Sequence, residues 1–415
     1  MNLKRKLSEL LEGLVMKFKT KNYKLEEILK IKYGKNQKKV IDENGKFPIL
    51  GTGGLMGYAN QYLYDKPSVL IGRKGTIDKI KYIDEPFWTV DTLFYTQIDE
   101  ELVLPEYIYY YLTTIDFKHY NEGTTIPSLR TETLNRIVVS LPELGIQSSI
   151  VKILGNFEKK IKLNNQTIAT LEELTSTLFK HWFVDFEFPD ENGNPYKSSG
   201  GKMVGSEIGE IPEEWELIQL GNLVTIIDNR GKTPPLEKEK TQYPIIDVKA
   251  LSGDSNLIDY NKCSKFVNVE IYNNWFRNGH PKENDILLST VGSIGQMKLF
   301  KNNIGAIAQN VVALRSINIS PYYLFEYLKF IKQDLVAYNI GSVQPSIKVT
   351  HIIKHDILVP NENLISIFDA IVKNIVSCIV EKDREANILT EIRDALLPKL
   401  LSGEIELRGL LDEEQ

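Results

Sequence analysis

The sequence has few of the residues from which catalytic, metal-binding and disulfide-linked sites are commonly built. Its 415 residues include only two cysteines, Cys263 and Cys378, and five histidines. Two cysteines so far apart indicate neither a disulfide framework nor a zinc site. No apolar run approaches the roughly 20 residues that cross a membrane, and the N-terminal segment lacks the small-residue cleavage site of a signal peptide. We therefore expect a cytoplasmic protein without a membrane partner.

Glycine-rich loops are present, but none has the spacing of a nucleotide-binding motif. GTGG (51–54) and GRKGT (72–76) both lack the GxxxxGK[ST] spacing of a nucleoside-triphosphate site, and we interpret them as turns between strands. Asn194-Pro195-Tyr196 lies in an acidic, turn-rich segment. The chain has neither the NPPY-like tetrad nor the early FxGxG loop that a DNA adenine methyltransferase requires.

The candidate metal ligands are incomplete as well. Asp247 and Lys249 have the D-x-K spacing of some nucleases, but no further acid follows at a convincing distance. His351 and His355 are four residues apart, as in a helical metal pair, and no third ligand is evident. We predict that the chain has no catalytic residues and binds no metal or cofactor of its own.

Charge is distributed unevenly along the chain. The formal net charge is −5, but residues 185–216 carry −7 and residues 404–415 carry −4, which leaves +6 for the remainder. Residues 17–82 alone carry +9. A concentrated basic surface favours binding to the phosphates of nucleic acids. A basic face that is merely solvated is the alternative.

The most regular feature is an apolar stripe between Leu141 and Phe183. After Pro142, a residue type that starts helices well, apolar residues recur at helical spacing. The stripe consists of Ile146, Ile150, Ile153, Phe157, Ile161, Ile168, Leu171, Leu174, Leu178 and Trp182. Helical rise would make this segment a rod of roughly 57 Å.

The same stripe occurs again 218 residues later, and Pro142 is matched by Pro360. The matching residues are Leu364, Phe368, Ile371, Ile375, Ile379, Ala386, Leu389, Ile392, Leu396 and Leu400. A long amphipathic helix that occurs twice indicates an internal duplication. We predict that the two helices bury their stripes against each other as an antiparallel, coiled-coil-like pair. Two unrelated helices, each on its own core, are the alternative.

Each long helix follows a globular block. Short β-rich runs alternate with turn signals in residues 20–140, and residues 216–360 repeat them more loosely. The clearest pairs are VLIGRKGTI (69–77) with ILLSTVGSI (286–294), LPEYIYYYL (104–112) with SPYYLFEYL (320–328), and GTTIPSLR (123–130) with GSVQPSIK (341–348). The second block contains an insertion of about 21 residues, which we place within 251–280.

The predicted fold is α+β with a pseudo-twofold internal repeat, in which two similar β-rich α/β domains are separated by the pair of long antiparallel helices. We expect the N-terminal amphipathic helix to pack against the end of the second long helix, and the acidic segment between the repeats to be a flexible linker. The predicted boundaries are 1–19 for the N-terminal helix, 20–142 and 216–360 for the two domains, 143–183 and 361–403 for the long helices, 184–215 for the linker and 404–415 for an acidic tail.

Side chains suited to DNA recognition lie near the glycine turns of both blocks. Arginine recognises guanine and amide side chains recognise adenine, while tyrosine can pack on sugar or phosphate. The candidates are Tyr58, Gln61, Tyr62, Arg73, Lys74, Tyr120 and Arg130 in the first block, and Arg230, Lys232, Gln296, Gln309, Asn310, Gln344 and Lys348 in the second. For any one of them an ordinary surface role is the alternative, so the prediction concerns the set.

Several longer segments carry a family resemblance. They are LPxxxIQxxIVxIL (141–154), LEELxxxLFxxWFVDFEFP (171–189), GEIPEEWE (209–216) and LLPKLLSGEIEL (396–407), with FPILGTGGLMGY (47–58), VLIGRKGTI (69–77) and FWTVDT (87–92) in the first block. Over almost its whole length, the chain resembles the DNA specificity subunit of a type I restriction–modification enzyme. The second block departs further from the family's sequences than the first.

The resemblance implies a function and a set of partners. The two domains would be target-recognition domains for the halves of an asymmetric bipartite site in double-stranded DNA, with a gap set by the helices. Two methyltransferase subunits would bind S-adenosylmethionine and methylate adenine, and motor-nuclease subunits, which require ATP and magnesium, would join for restriction. The specificity subunit of this family is not itself catalytic.

Two other functions stay open from the sequence. One is an enzyme, either a stand-alone nuclease or a fused methyltransferase, and the missing methyl-donor motifs argue against the fusion. The other is a coiled-coil scaffold that binds no DNA. Salt-dependent binding to random duplexes distinguishes this scaffold from a DNA-binding subunit.

Overall fold

The computed structural model describes residues 18–231 and 233–404, which form two compact units. Unit 1 comprises the described residues up to Ile161 and from Asn387 onward, and unit 2 comprises Lys162–Ala386. Each unit contains one globular repeat and one part of each long helix. The predicted N-terminal helix up to residue 17, Lys232 and the acidic tail from residue 405 lie outside the described residues.

Unit 1 is built from short strands and helices around β5, every residue of which is buried. The strands are β1 (Lys21–Lys24), β2 (Leu29–Tyr33), β3 (Phe47–Gly51), β4 (Gly54–Ala59), β5 (Ser68–Gly72), β6 (Lys81–Ile83), β7 (Trp88–Thr89), β8 (Leu93–Ile98) and β9 (Val138–Leu141). The helices are α1 (Leu25–Ile28), α2 (Pro105–Thr113), a 3-10 turn (Phe117–Tyr120), α3 (Thr131–Asn135) and the first part of α4 (Leu144–Phe183).

Unit 2 repeats this order of elements after an additional hairpin. The strands are β10 (Met203–Ser206), β11 (Gly209–Pro212), β12 (Glu216–Gln219), β13 (Val224–Ile227), β14 (Tyr243–Ile246), β15 (Phe266–Val267), β16 (Ile286–Ser289), β17 (Met297–Leu299), β18 (Ala306–Ile307), β19 (Val311–Ser316) and β20 (Asp356–Val359). The helices are α5 (Leu220–Leu223), a 3-10 turn (Tyr260–Lys262), α6 (Val269–Trp275), α7 (Pro321–Phe330), α8 (Lys332–Ala337), α9 (Val349–Ile352) and α10 (Glu362–Ser402).

The two units have the same sheet topology. The four-stranded antiparallel sheet has the order β2–β8–β5–β6 in unit 1 and β13–β19–β16–β17 in unit 2. The three-stranded sheets β4–β3–β7 and β15–β14–β18 each combine one antiparallel and one parallel pair. Strand β1 pairs with β9, and β12 pairs with β20. The predicted α+β fold with an internal repeat and two long helices is confirmed.

The additional residues of the second repeat lie on both sides of β15. Strands β3 and β4 are joined by Thr52 and Gly53 alone, whereas residues 247–265 join β14 to β15. Residues 268–285, which include α6, then lead to β16. The first of these stretches forms a small core with β14 and β16. Both stretches overlap the predicted 251–280.

The acidic segment between the repeats is ordered, so the prediction of a flexible linker is wrong. Strands β10 and β11 form a hairpin, and Phe188, Ile211 and Trp215 are buried in the core of unit 2. The rings of Phe188 and Trp215 stack at 5.4 Å. The prediction followed the acidic, glycine-rich composition of the segment and gave no weight to its few aromatic residues, which hold it against the core. Asn194 lies in a turn, as predicted, where its N–H donates to the carboxylate of Asp190 (2.8 Å).

The long helices contribute to the cores of both units. In unit 1, Ile150 near the start of α4 shares a core with Leu396 near the end of α10. In unit 2, Phe179 near the end of α4 shares a core with Phe368 near the start of α10. The helices therefore run antiparallel, as predicted. Residues of the sheets occupy the same clusters, so each stripe packs against a domain core as well as against the other helix.

Burial along α4 and α10 corrects part of the predicted stripe. Leu174 is 51% exposed and Ile371 is 39% exposed, while their neighbours Thr175 and Val372 are buried. The buried face of α4 includes polar residues such as Thr175 and Asn164, which a count of apolar residues passes over. Of the other stripe residues, Ile150, Ile168, Trp182, Leu364, Phe368, Ile379, Ala386, Ile392, Leu396 and Leu400 are buried, and Ile146, Ile153, Phe157, Ile161, Leu171, Leu178, Ile375 and Leu389 are half-buried.

Helix α10 has the length and apolar composition of a membrane-spanning helix, but core helices pass the same test. Its residues Phe368 and Val372 are buried in the core of unit 2. Near its other end, Gly403 lies beside the ring of Phe18. Phe18 and Lys19 are the described residues of the predicted N-terminal helix, and neither is helical. The N-terminal helix was predicted to pack against the end of α10, and this contact is the part of that packing that lies within the described residues.

Candidate nucleic-acid interface

Two loops of unit 1 are joined by backbone hydrogen bonds. Residues 72–76, here called glycine loop 1, begin at the last residue of β5, and residues 123–128, called tip loop 1, precede α3. The N–H of Gly75 donates to the carbonyl of Pro127 (2.9 Å), and the N–H of Leu129 donates to the carbonyl of Arg73 (2.9 Å). Because Leu129 is buried, tip loop 1 is anchored to the core at its end.

The side chain of Asn121 holds tip loop 1 closed. Its Oδ1 accepts from the N–H groups of Gly123 (2.9 Å) and Ser128 (2.8 Å), and its Nδ2 donates to the carbonyl of Gly123 (3.1 Å). A Cβ atom at residue 123 would lie 1.9 Å from the carbonyl oxygen of Ile126. Glycine is therefore required there, and the exposed residues that follow it are held in one conformation.

Unit 2 contains the same arrangement. Glycine loop 2 (289–293) and tip loop 2 (341–346) are joined by the N–H of Gly292, which donates to the carbonyl of Pro345 (2.9 Å). Asn339 Oδ1 accepts from the N–H groups of Gly341 (3.0 Å) and Ser346 (2.9 Å). A Cβ atom on Gly341 would lie 1.9 Å from a carbonyl oxygen of its own loop. The two repeats thus present matched loop pairs.

Arg73 and Lys74 lie in glycine loop 1. The guanidinium of Arg73 lies over the ring of Tyr33, 5.0 Å from its centre, and Nη1 donates to the carbonyl of Asp91 (3.0 Å). Lys74 is exposed, and its backbone forms a bridge with Ser128 of tip loop 1. The structure therefore brings these two candidates together with the loop pair.

Arg130 follows tip loop 1 and is exposed. Its Nε lies 3.0 Å from Oε2 of Glu122, and the Glu122 carboxylate also accepts from the hydroxyl of Thr133. Tyr120 is half-buried against the core of unit 1 and has its ring edge toward His119. Only part of Tyr120 is therefore available to a ligand.

Tyr58, Gln61 and Tyr62 lie elsewhere in unit 1. Tyr58 is 44% exposed near the end of β4, and Tyr62 is 48% exposed beyond it, with its ring against that of Phe47 (5.3 Å). The beginning of β4, next to Thr52, is the end that lies beside glycine loop 1. These three candidates therefore lie at the end of β4 away from the loop pair.

Three candidates of unit 2 line a cleft of about 490 Å³. Arg230 forms an ion pair with Asp228, which raises the pKa of the guanidinium and keeps it charged. Gln309 Nε2 donates to the hydroxyl of Thr233 (3.3 Å). The buried Oδ1 of Asn310 has no hydrogen-bond partner among the described residues. Asn310 lines the cleft, but its Oδ1 atom has almost no accessible surface of its own.

The other candidates of unit 2 are placed differently. Gln344 lies in tip loop 2 and Lys348 follows that loop, and both are exposed. Gln296 is half-buried, and its backbone N–H donates to the hydroxyl of Ser289 (2.8 Å). The position of Lys232 lies outside the described residues.

The cleft also contains residues that sequence reasoning missed. Trp275 is 36% exposed and lines the cleft with Lys265 and Asp247. Trp275 and Lys265 lie in the stretches around β15 that lengthen the second repeat, so the first repeat offers no matching pattern. The signal in the sequence was the tryptophan itself, which ends the short helix α6 and which pattern alone does not assign to a site.

The two repeats differ at the residues next to their loop pairs. The N–H of Arg73 donates to the carbonyl of Thr92 (2.9 Å), and the N–H of Thr290 donates to that of Asn310 (2.9 Å). These bonds identify Thr290 as the counterpart of Arg73, and Asn310 as the counterpart of Thr92. The large cation Arg73 of unit 1 is thus replaced by the small hydroxyl residue Thr290 in unit 2. Unit 2 is also the unit that contains the cleft.

Among residues 18–231 and 233–404, no group of three or more His, Cys, Asp or Glu side chains is placed to hold a metal ion. The D-x-K segment is a turn in which the N–H of Lys249 donates to Oδ1 of Asp247 (2.9 Å). The Nδ1 atom of His355 lies 2.9 Å from the hydroxyl of Tyr338. Neither segment belongs to a group of three or more such side chains within the described part of the chain.

The topology and the matched loop pairs define a duplicated α+β protein whose repeats share a scaffold and differ in exposed side chains. Residues 19–173 and 212–378 each match the family model of the type I restriction modification DNA specificity domain. The chain belongs to this family.

Curated relatives and a solved structure agree with this assignment. The chain is 24% identical over 358 residues to the specificity subunit of the type I restriction enzyme MjaIX of Methanocaldococcus jannaschii, covering 84% of this chain and 80% of the relative. It is 24% identical over 368 residues to the HindI specificity subunit of Haemophilus influenzae, covering 73% and 78%. The crystal structure of the type I S subunit from M. genitalium has the same fold, with a TM-score of 0.60 at 18% identity over 92% of this chain and 96% of that chain.

Proposed function

We propose that this chain is the DNA-recognition subunit of a type I restriction–modification complex and recognises an asymmetric bipartite site in double-stranded DNA. Each repeat would bind one half-site. The observation that carries the proposal is the pair of identical loop frameworks, which differ in neighbouring side chains such as Arg73 and Asn310. Two recognition surfaces on one scaffold suit a site whose halves share a helical form and differ in sequence.

The partners belong to the same proposal. Two adenine methyltransferase subunits, which bind S-adenosylmethionine, would dock on this chain in the cytoplasm. Motor-nuclease subunits, which use ATP and magnesium, would join them for restriction. The chain itself would supply DNA binding and positioning without catalysis.

Selection from random duplexes tests the proposal. The purified chain, alone and with its methyltransferase subunits, should enrich DNA with two defined half-sites and a fixed gap. Its affinity should fall as salt rises, because phosphate contacts release counterions. A chain that binds no duplex, with or without its methyltransferase subunits, would refute the proposal and favour a scaffold. Methylation or cleavage by the chain alone, with S-adenosylmethionine and magnesium present, would instead identify an enzyme.

The long helices should determine the gap between the half-sites. Removing one heptad from the middle of both α4 and α10 shortens each by about 10 Å, which corresponds to about three base pairs of DNA. We expect a shorter gap with both half-sites unchanged, as measured by mapping methylated adenines in cells that carry the variant. Removing a heptad from α4 alone is the control and should impair folding, because the two stripes lose their register. An unchanged gap with altered half-sites would contradict this division of roles.

A further inference from the structure

The two tip loops carry the same chemistry at equivalent exposed positions, although the surfaces around them differ. Thr124 in tip loop 1 corresponds to Ser342 in tip loop 2, so each loop has an exposed hydroxyl directly after its required glycine. Arg130 corresponds to Lys348, so an exposed cation follows each loop. The repeats would bind half-sites of different sequence. The hydroxyl and the cation that both tip loops carry should therefore contact a part of the DNA that is the same in both half-sites. That common element is the sugar–phosphate backbone.

The geometry of the loops suits a phosphate oxygen. Asparagine side chains and backbone bonds to the glycine loops hold both tip loops in place, so little conformational entropy is lost on binding. A hydroxyl donor and a cation on a fixed loop are the groups that contact DNA phosphates in many complexes. The buried residues Leu129 and Ile347 separate the hydroxyl from the cation along the chain and fix both to the core.

The charge around the two loops is not equal. Arg130 is paired with Glu122 across an exposed surface, whereas Ile340 takes the place of Glu122 in unit 2. An exposed ion pair contributes little stability, so Arg130 can exchange Glu122 for a phosphate at small cost. The carboxylate nevertheless repels an approaching phosphate, and tip loop 2 carries no such acid at this position.

We propose that tip loops 1 and 2 bind backbone phosphates of the DNA, through the Thr124 or Ser342 hydroxyl and the Arg130 or Lys348 cation. They bind without regard to base sequence, and base recognition belongs to the residues that differ between the repeats. This inference rests on the proposed function and assigns the chemical group bound at one part of each recognition surface.

The test uses the full-length chain with the variants Arg130→Ala and Lys348→Ala, and with Lys180→Ala on α4 as a control for the loss of one charge. Fluorescence anisotropy with the selected site and with random duplexes gives affinity at several salt concentrations. Each tip variant should weaken binding to all duplexes by the same factor and reduce the slope of log affinity against log salt by about 1. Between 50 and 200 mM salt, the wild type should lose about 3.5-fold more affinity than either variant.

A second variant changes the charge in the opposite direction. Glu122→Gln removes the competing carboxylate beside Arg130 and should tighten binding to all duplexes alike, with thermal unfolding unchanged. A tip variant that changes the preference at one base pair, or leaves the salt slope at the wild-type value, would overturn the phosphate assignment while the proposed function stands. A wild-type chain that binds no duplex would overturn both.

Discussion

Replacing Phe368 with alanine should destabilise unit 2 by about 3–5 kcal/mol, which is the range for a phenylalanine removed from a packed core. Phe368 is fully buried, and its ring centre lies 5.0 Å from that of Phe183 and 6.2 Å from that of Trp182. The side chain joins α4, α10 and the core of the unit. Its loss leaves a cavity among aromatic rings that cannot collapse without moving both helices.

The measurement is urea unfolding followed by tryptophan fluorescence, since Trp182 and Trp215 lie in the same core. Ile371→Ala is the matched control, one helical turn away on α10 and 39% exposed. It should cost less than about 1 kcal/mol, as surface substitutions do. Equal destabilisation by the two variants would mean that Ile371 is packed as tightly as Phe368. The face of α10 predicted from the sequence would then be the buried face.

Arg73→Ala should remove recognition at a base pair of one half-site and leave the other half-site unchanged. An arginine that contacts a guanine contributes about 1–3 kcal/mol of discrimination, which corresponds to roughly 5- to 150-fold. The stacking on Tyr33 and the bond to the Asp91 carbonyl orient this side chain. Asn310→Ala should produce the same kind of loss in the half-site bound by unit 2, because Asn310 lines the cleft of that unit and an amide is the side chain that recognises adenine.

Genome-wide mapping of methylated adenines, in cells that carry each variant with its methyltransferase, measures both half-sites at once. The half-site bound by the unmodified repeat is the internal control in each case. If either variant weakens both half-sites equally, the affected residue binds backbone or supports the fold and does not recognise a base. If Arg73→Ala changes the half-site assigned to unit 2, the assignment of half-sites to repeats is wrong.

Local patterns in the sequence sufficed for the long helices and for the duplication. The apolar spacing from Ile146 to Trp182 and its recurrence at an offset of 218 residues predict α4 and α10 nearly to their observed ends. Periodicity is a property of neighbouring residues, so a single chain reveals it. The resemblance of GTTIPSLR to GSVQPSIK likewise pairs the two segments that form the tip loops.

The same patterns failed where burial depends on distant segments. Leu174 has the right spacing, yet Thr175 is the buried residue. The acidic segment looked flexible, yet Phe188 and Trp215 anchor it in unit 2. Spacing identifies a face of a helix only to within one position, and composition averages over the few aromatic residues that fix a segment. The partners that decide both cases lie elsewhere in the chain.

The sequence by itself determined that this protein consists of two similar α+β repeats with two long amphipathic helices, because these features follow from local spacing and internal similarity. Only the tertiary structure decided which candidate residues share a surface. Backbone hydrogen bonds between segments about fifty residues apart join Arg73 and Lys74 to tip loop 1, while Tyr58 and Tyr62 lie at the other end of β4. Such long-range pairing depends on how the whole sheet packs, and no local pattern in the sequence specifies it.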